Sequence, residues 1–65
     1  MNITINGEVA AFPGDPSVAD VVGHLGLSDG GIAVAVDGAV VPRGCWSTRL
    51  IDGAVVEVVT AVQGG

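Results

Sequence analysis

Two dipeptides, Asn6-Gly7 and Asp37-Gly38, constrain the fold of this chain more than any other feature. Both residues of such a pair tolerate positive φ, which a two-residue turn between antiparallel strands requires, so each predicts a tight hairpin. The flanking segments agree. Ile3 and Ile5 alternate with Asn2, Thr4 and Asn6, which predicts a hairpin of 2–6 with 8–12. The run Ile32-Ala33-Val34-Ala35-Val36 reads as a buried strand that returns through a short one, 39–41, ending at Pro42. One helical pattern lies between the hairpins. Pro13-Gly14-Asp15-Pro16 breaks the second strand, Ser17 stands where a cap belongs, and Asp20 three residues on answers the first-turn donors and the dipole. Val18, Val21, Val22 and Leu25 make one apolar stripe, so a helix is expected over 18–25, ended by a left-handed Gly26.

From Arg43 to Ile51 the chain mixes Gly, Ser, Thr and Trp without a period and reads as an irregular connection. After the Asp52-Gly53 turn, residues 54–60 are almost all β-branched, and valines fall on both faces of the predicted strand, Val55 and Val59 on one, Val56 and Val58 on the other. Such a strand belongs at the centre of a sheet with its outer face partly open, and a crossover containing the helix permits it to lie parallel to the first strand. A chain of 65 residues supports one core, and one helix covers one face of one sheet. The expected fold class is therefore α+β, a roll with one helix packed across a mixed sheet of four to five strands. Residues 1–60 form the domain and 61–65 a flexible tail.

Hydrophobic residues make up 49% of the chain and charged residues 14%, too apolar for a disordered segment and too interrupted for a membrane span. The opening Met1-Asn2-Ile3-Thr4-Ile5-Asn6 has no basic region and alternates, so no secretory signal is expected and the cytoplasm is the expected location. Seven acidic residues against two basic give a net charge of -5, which argues against nucleic acid and for a basic protein surface as partner. Lysine is absent, and with it the phosphate-binding lysine of a nucleotide loop and any internal acceptor for isopeptide tagging. Cys45 is the single cysteine and completes no disulfide, redox or zinc motif.

Ala35-Val36-Asp37-Gly38 leading into Val41-Pro42-Arg43, then Trp46, the Asp52-Gly53 turn and the terminal Gly64-Gly65 together resemble the ubiquitin-like sulfur carriers, and specifically the ThiS family of thiamine biosynthesis. The resemblance covers the whole chain and implies a β-grasp fold. It also implies a function without catalysis by this chain: an E1-like adenylating enzyme activates the Gly65 carboxylate, sulfur replaces one oxygen, and the thiocarboxylate supplies thiazole synthase with sulfur for the thiazole ring of thiamine. ATP and magnesium belong to the activating partner, and the carrier itself binds no cofactor and no metal and is expected to be a monomer when free. On this reading Gly65 is the modified residue, Gly64 a flexible spacer, and Gln63, Gly64, Val56 and Val58 the partner-binding residues.

The chemistry asks for such an end. A carboxylate is a poor electrophile until it gains a leaving group, and glycine allows the close backbone approach a narrow enzyme channel demands. Five residues beyond Thr60 reach at most about 17 Å. Other residues invite plainer readings. His24 is expected as a solvated helix residue and Cys45 as a packed thiol beside Trp46, which anchors the irregular link. Arg43 stays open between binding the tail and capping a strand end. Rival readings are a carrier for another pathway, such as the small subunit of molybdopterin synthase, a ubiquitin-like modifier joined to other proteins through Gly65, and a small interaction domain with an incidental Gly-Gly end.

Overall fold

The computed structural model describes residues 1–27 and 31–60. Strands β1 (Asn2–Ile5) and β2 (Glu8–Ala11) form the first hairpin, and β3 (Ile32–Val36) and β4 (Ala39–Val41) the second. Both turns have the expected positive φ at both positions, 50° and 85° at Asn6 and Gly7, 50° and 86° at Asp37 and Gly38. Between the hairpins runs α1 (Val18–His24), and β5 (Val55–Thr60) closes the described chain. The sheet order is β2-β1-β5-β3-β4. β5 is central as expected, parallel to β1 and antiparallel to β3. One helix across a mixed five-stranded sheet is the β-grasp architecture.

The core lies between α1 and the sheet. Val18, Val21 and Val22 of the helix are buried together with Ile3, Ile5, Val34, Val56 and Val58 of the strands. This corrects the expectation for β5: Val56 and Val58, 0% and 7% exposed, face the helix, whereas Val55 and Val59, 47% and 63% exposed, lie on the open face. The register explains it, because Val56 sits beside Ile5 of β1 and opposite Val36 of β3, on the side that α1 covers. Leu25 also departs from the expected stripe. The helix ends at His24, Leu25 becomes its C-cap at the rim, and Gly26 follows at φ 71°.

The connection expected to be irregular holds a 3-10 helix over Arg43–Cys45, and the rest of it is stitched to the start of α1. Val18 N–H donates to the Thr48 carbonyl at 3.1 Å, Ala19 N–H to that of Trp46 at 3.0 Å, and Leu50 N–H to that of Pro16 at 2.8 Å. Two first-turn donors that a helix leaves without internal partners are thereby satisfied by the link. Trp46 anchors it as expected: its ring is 8% exposed and its Nε1–H donates to the Val41 carbonyl at 3.2 Å.

Ser17 and Asp20 complete the start of α1 as a reciprocal cap. Asp20 N–H donates to Ser17 Oγ at 3.1 Å, and Ser17 N–H donates to Asp20 Oδ2 at 2.9 Å. The Ser17 backbone and hydroxyl bonds, aided by Arg49 at 3.7 Å, hold the Asp20 carboxyl below its ordinary value of 3.8. Ser17→Ala is expected to cost about 1 kcal/mol, a fall in Tm of roughly 4–8 °C for a domain of this size. A carboxyl with a lowered folded pKa stabilises above its unfolded value and loses that contribution as pH falls through the folded one. Asp20→Asn, which has no carboxyl to protonate, should therefore lose less stability than the intact chain as pH falls below 3.8, and thermal melts of those two proteins that stayed a constant distance apart into acid would contradict the cap.

Candidate functional site

Three expected site residues, Gln63, Gly64 and Gly65, lie outside the described residues, as does the tail over 61–65. What the described residues give is the point from which that tail starts. Because β5 runs parallel to β1, its C-terminal end lies at the Asn6-Gly7 end of the sheet. There the Asn6 side chain extends the ladder beyond β1, its Nδ2–H donating to the Val58 carbonyl at 3.2 Å and its Oδ1 accepting from Val58 N–H at 2.8 Å. On the other side Thr60 still pairs with Ile32. The last described residue is thus tied to β3, and Val58, two residues before it, is tied to Asn6.

Beside this exit lies the open face of the sheet. Alternation places Val55, Glu57 and Val59 of β5 on it, with Ala33 and Ala35 of β3 and Val40 of β4. Ala33, Ala35, Val40, Glu57 and Val59 line a shallow depression of about 200 Å³ there. Val56 and Val58, named from the sequence as docking residues, are therefore corrected: their side chains serve the core and present nothing outward. The valines of β5 that the fold exposes instead are Val55 and Val59. The two-residue period held the signal, since Glu57 shares a face with Val55 and Val59 and a carboxylate marks the solvated side, and the partner strands agree.

The remaining sequence candidates separate clearly. Cys45 is exposed, not packed as expected, because the 3-10 helix turns Trp46 inward and leaves its predecessor outside. His24 is exposed at the end of α1, with its ring edge-on to Phe12 at 4.9 Å. Arg43 stacks its guanidinium over Trp46, 5.2 Å from the ring centroid. Among the described residues no three of His, Cys, Asp and Glu come together as a metal site requires, and no helix is long and apolar enough to cross a membrane.

A model of the ThiS family matches residues 3–65, from the first buried isoleucine through the final glycine. The chain belongs to the ThiS family. No curated protein matches it. Among solved structures it is similar to the crystal structure of a thiamine biosynthesis protein, ThiS, from Geobacter metallireducens, at 28% identity over the whole of both chains with a TM-score of 0.82. An NMR solution structure of a thiamine biosynthesis protein from the same organism matches at 28% identity, over all of this chain and 88% of that one, with a TM-score of 0.78. Membership of the ThiS family makes this chain a ThiS-type sulfur carrier, and the match includes the terminal Gly64-Gly65.

Proposed function

We propose that this ThiS-family chain carries sulfur on its C-terminal carboxylate for the thiazole ring of thiamine. The observation that carries the reading is the family match that extends from residue 3 to Gly65, on a chain that aligns over its whole length with a thiamine biosynthesis protein. An adenylating enzyme of the E1-like kind provides ATP and magnesium. The Gly65 carboxylate displaces pyrophosphate from ATP, forming an acyl-adenylate, and a reduced sulfur nucleophile then displaces AMP, which takes one of the two carboxylate oxygens with it. The thiocarboxylate so formed passes its sulfur to thiazole synthase. The chain acts as a protein substrate and needs no resident cofactor.

The body is the handle. Its open face, apolar at Val55, Val59 and Val40 around the Glu57 carboxylate, suits a partner with an apolar patch and a basic group, in keeping with the net charge of -5. That face borders the strand from which the tail continues, so a partner seated on it has the tail within its reach.

The exposed Cys45 thiol is the one rival atom for sulfur chemistry within the chain. Cys45→Ser, a change on the surface, is expected to leave the fold and the rate of thiocarboxylate formation by the partner enzyme unchanged. Loss of that product from a folded C45S variant would move the site from the terminus to the thiol.

A further inference from the structure

At the side of the sheet away from β4, β2 is an edge strand, and its pairing identifies which of its backbone groups no described residue uses. Met1 and Phe12 exchange both bonds, Met1 N donating to the Phe12 carbonyl at 2.7 Å and Phe12 N–H to the Met1 carbonyl at 2.8 Å. Bonded and non-bonded pairs alternate along an antiparallel ladder. Ala10, opposite Ile3, and Glu8, opposite Ile5, therefore turn their groups toward β1, while Val9 and Ala11 turn theirs to the free edge. Against this edge, on the helix side, opens a cavity of about 320 Å³ whose walls include Ile5, Glu8, Ala10, His24 and Leu25. Two outward ladder positions two residues apart and a side-chain cavity between them are the parts of a strand-addition groove.

We propose that this groove takes an extended segment of a partner protein, which pairs antiparallel to β2 as a sixth strand, places an apolar side chain in the cavity opposite Ala10, and sets a basic residue against Glu8. Charge selects such a segment, since Glu8 puts a carboxylate in the wall of a chain that carries -5 overall. A second copy of this chain fits poorly. Paired about Ala10, two β2 strands would bring together two bodies of like charge and offer each cavity only a methyl group. The opposite edge offers less: β4 has three residues, alternation leaves Val40 as its outward position, and the Trp46 indole already holds the Val41 carbonyl. The groove also lies at the Asn6 end of the sheet, where β5 ends. A segment bound there would hold the carrier next to its tail. Strand addition at β2 does not depend on sulfur transfer and stands or falls separately from it.

The test is a titration of the full-length, nitrogen-labelled chain with the capped peptide acetyl-Thr-Val-Leu-Val-Arg-Thr-amide, followed by amide NMR. Antiparallel pairing puts its leucine opposite Ala10, its valines opposite Val9 and Ala11, and its arginine opposite Glu8. Saturable shifts at the Val9 and Ala11 amides are expected, with at least tenfold weaker binding when both peptide valines are N-methylated. Glu8→Gln should weaken binding severalfold and reduce its dependence on salt, with the spectrum of the free protein otherwise preserved. The proposal is overturned if no saturable shift occurs, if the N-methylated peptide binds equally well, or if the shifts fall instead on Val40, Val55 and Val59. It is equally overturned if the free chain self-associates through Val9 and Ala11, since the edge would then belong to a second copy.

Discussion

Deleting Gly65 is expected to lower adenylation by the partner enzyme by a factor on the order of a hundred or more, while changing folding stability by no more than about 0.5 kcal/mol. The two halves of that result have separate causes. Among the described residues the buried core is built from residues between Ile3 and Val58, with the link at Trp46 and Leu50, and a terminal glycine has no side chain to add to it, so its removal is expected to cost little. The reaction is another matter, because the new carboxylate belongs to Gly64 and falls one residue, about 3.5 Å, short of the bound ATP. Attack requires reacting atoms about 3–3.5 Å apart, and a shortfall of that size removes the productive geometry. Gly64→Val separates reach from passage: it keeps the length but adds a branched Cβ and restricts φ in a segment that must thread a narrow channel. Both variants should still bind the partner through the body while turnover falls in each. ATP–pyrophosphate exchange alongside thermal melts reads both quantities, and a Gly65 deletion activated as fast as the intact chain would refute the carrier reading.

Val56→Asp is expected to unfold the chain, and Val59→Asp to leave it folded. Val56 is fully buried at the centre of the sheet, between Ile5 and Val36 and beneath α1. A carboxylate there has no basic partner, and burying one costs more than about 4 kcal/mol. A chain of this size is stabilised by roughly 3–10 kcal/mol in all, so the substitution consumes most or all of its stability. Val59 lies on the open face, 63% exposed, where an aspartate remains hydrated and costs within about 1 kcal/mol in strand preference. Its effect should appear in partner binding instead, because the aspartate gives the partner no apolar surface to cover and sets a second carboxylate near Glu57. Circular dichroism distinguishes the two outcomes. A folded Val56→Asp variant would mean that β5 turns its other face to the helix.

That pair of variants also marks where the sequence stops being decisive. The hairpins, the cap at Ser17 and the central parallel β5 follow from local chemistry: positive φ at Asn6-Gly7 and Asp37-Gly38, a hydroxyl and a carboxylate three residues apart, and a strand apolar on both sides. For the face of β5 that meets the helix there is a single local clue: Glu57 alternates with Val55 and Val59, and a carboxylate belongs on the open face, where register with β1 and β3 places it. The link from Arg43 to Ile51 has no period because its work is done by backbone bonds to a distant helix start and by one indole, neither of which leaves a repeat in the chain. For the candidate site, the terminal glycines were named from the sequence and the family resemblance and lie outside the described residues, whereas the depression on the open face required the fold.

The central claim is that sulfur is carried at the end of the chain. It is tested most directly by intact-mass and top-down fragment analysis of the protein isolated from its own cells under conditions that preserve thiocarboxylates. The account predicts a fraction heavier by the difference between one sulfur and one oxygen atom, with the added mass confined to fragments containing Gly65 and removed by hydrolysis. Extra sulfur located on Cys45, or its absence from the C-terminal fragment in cells actively making thiamine, would contradict it.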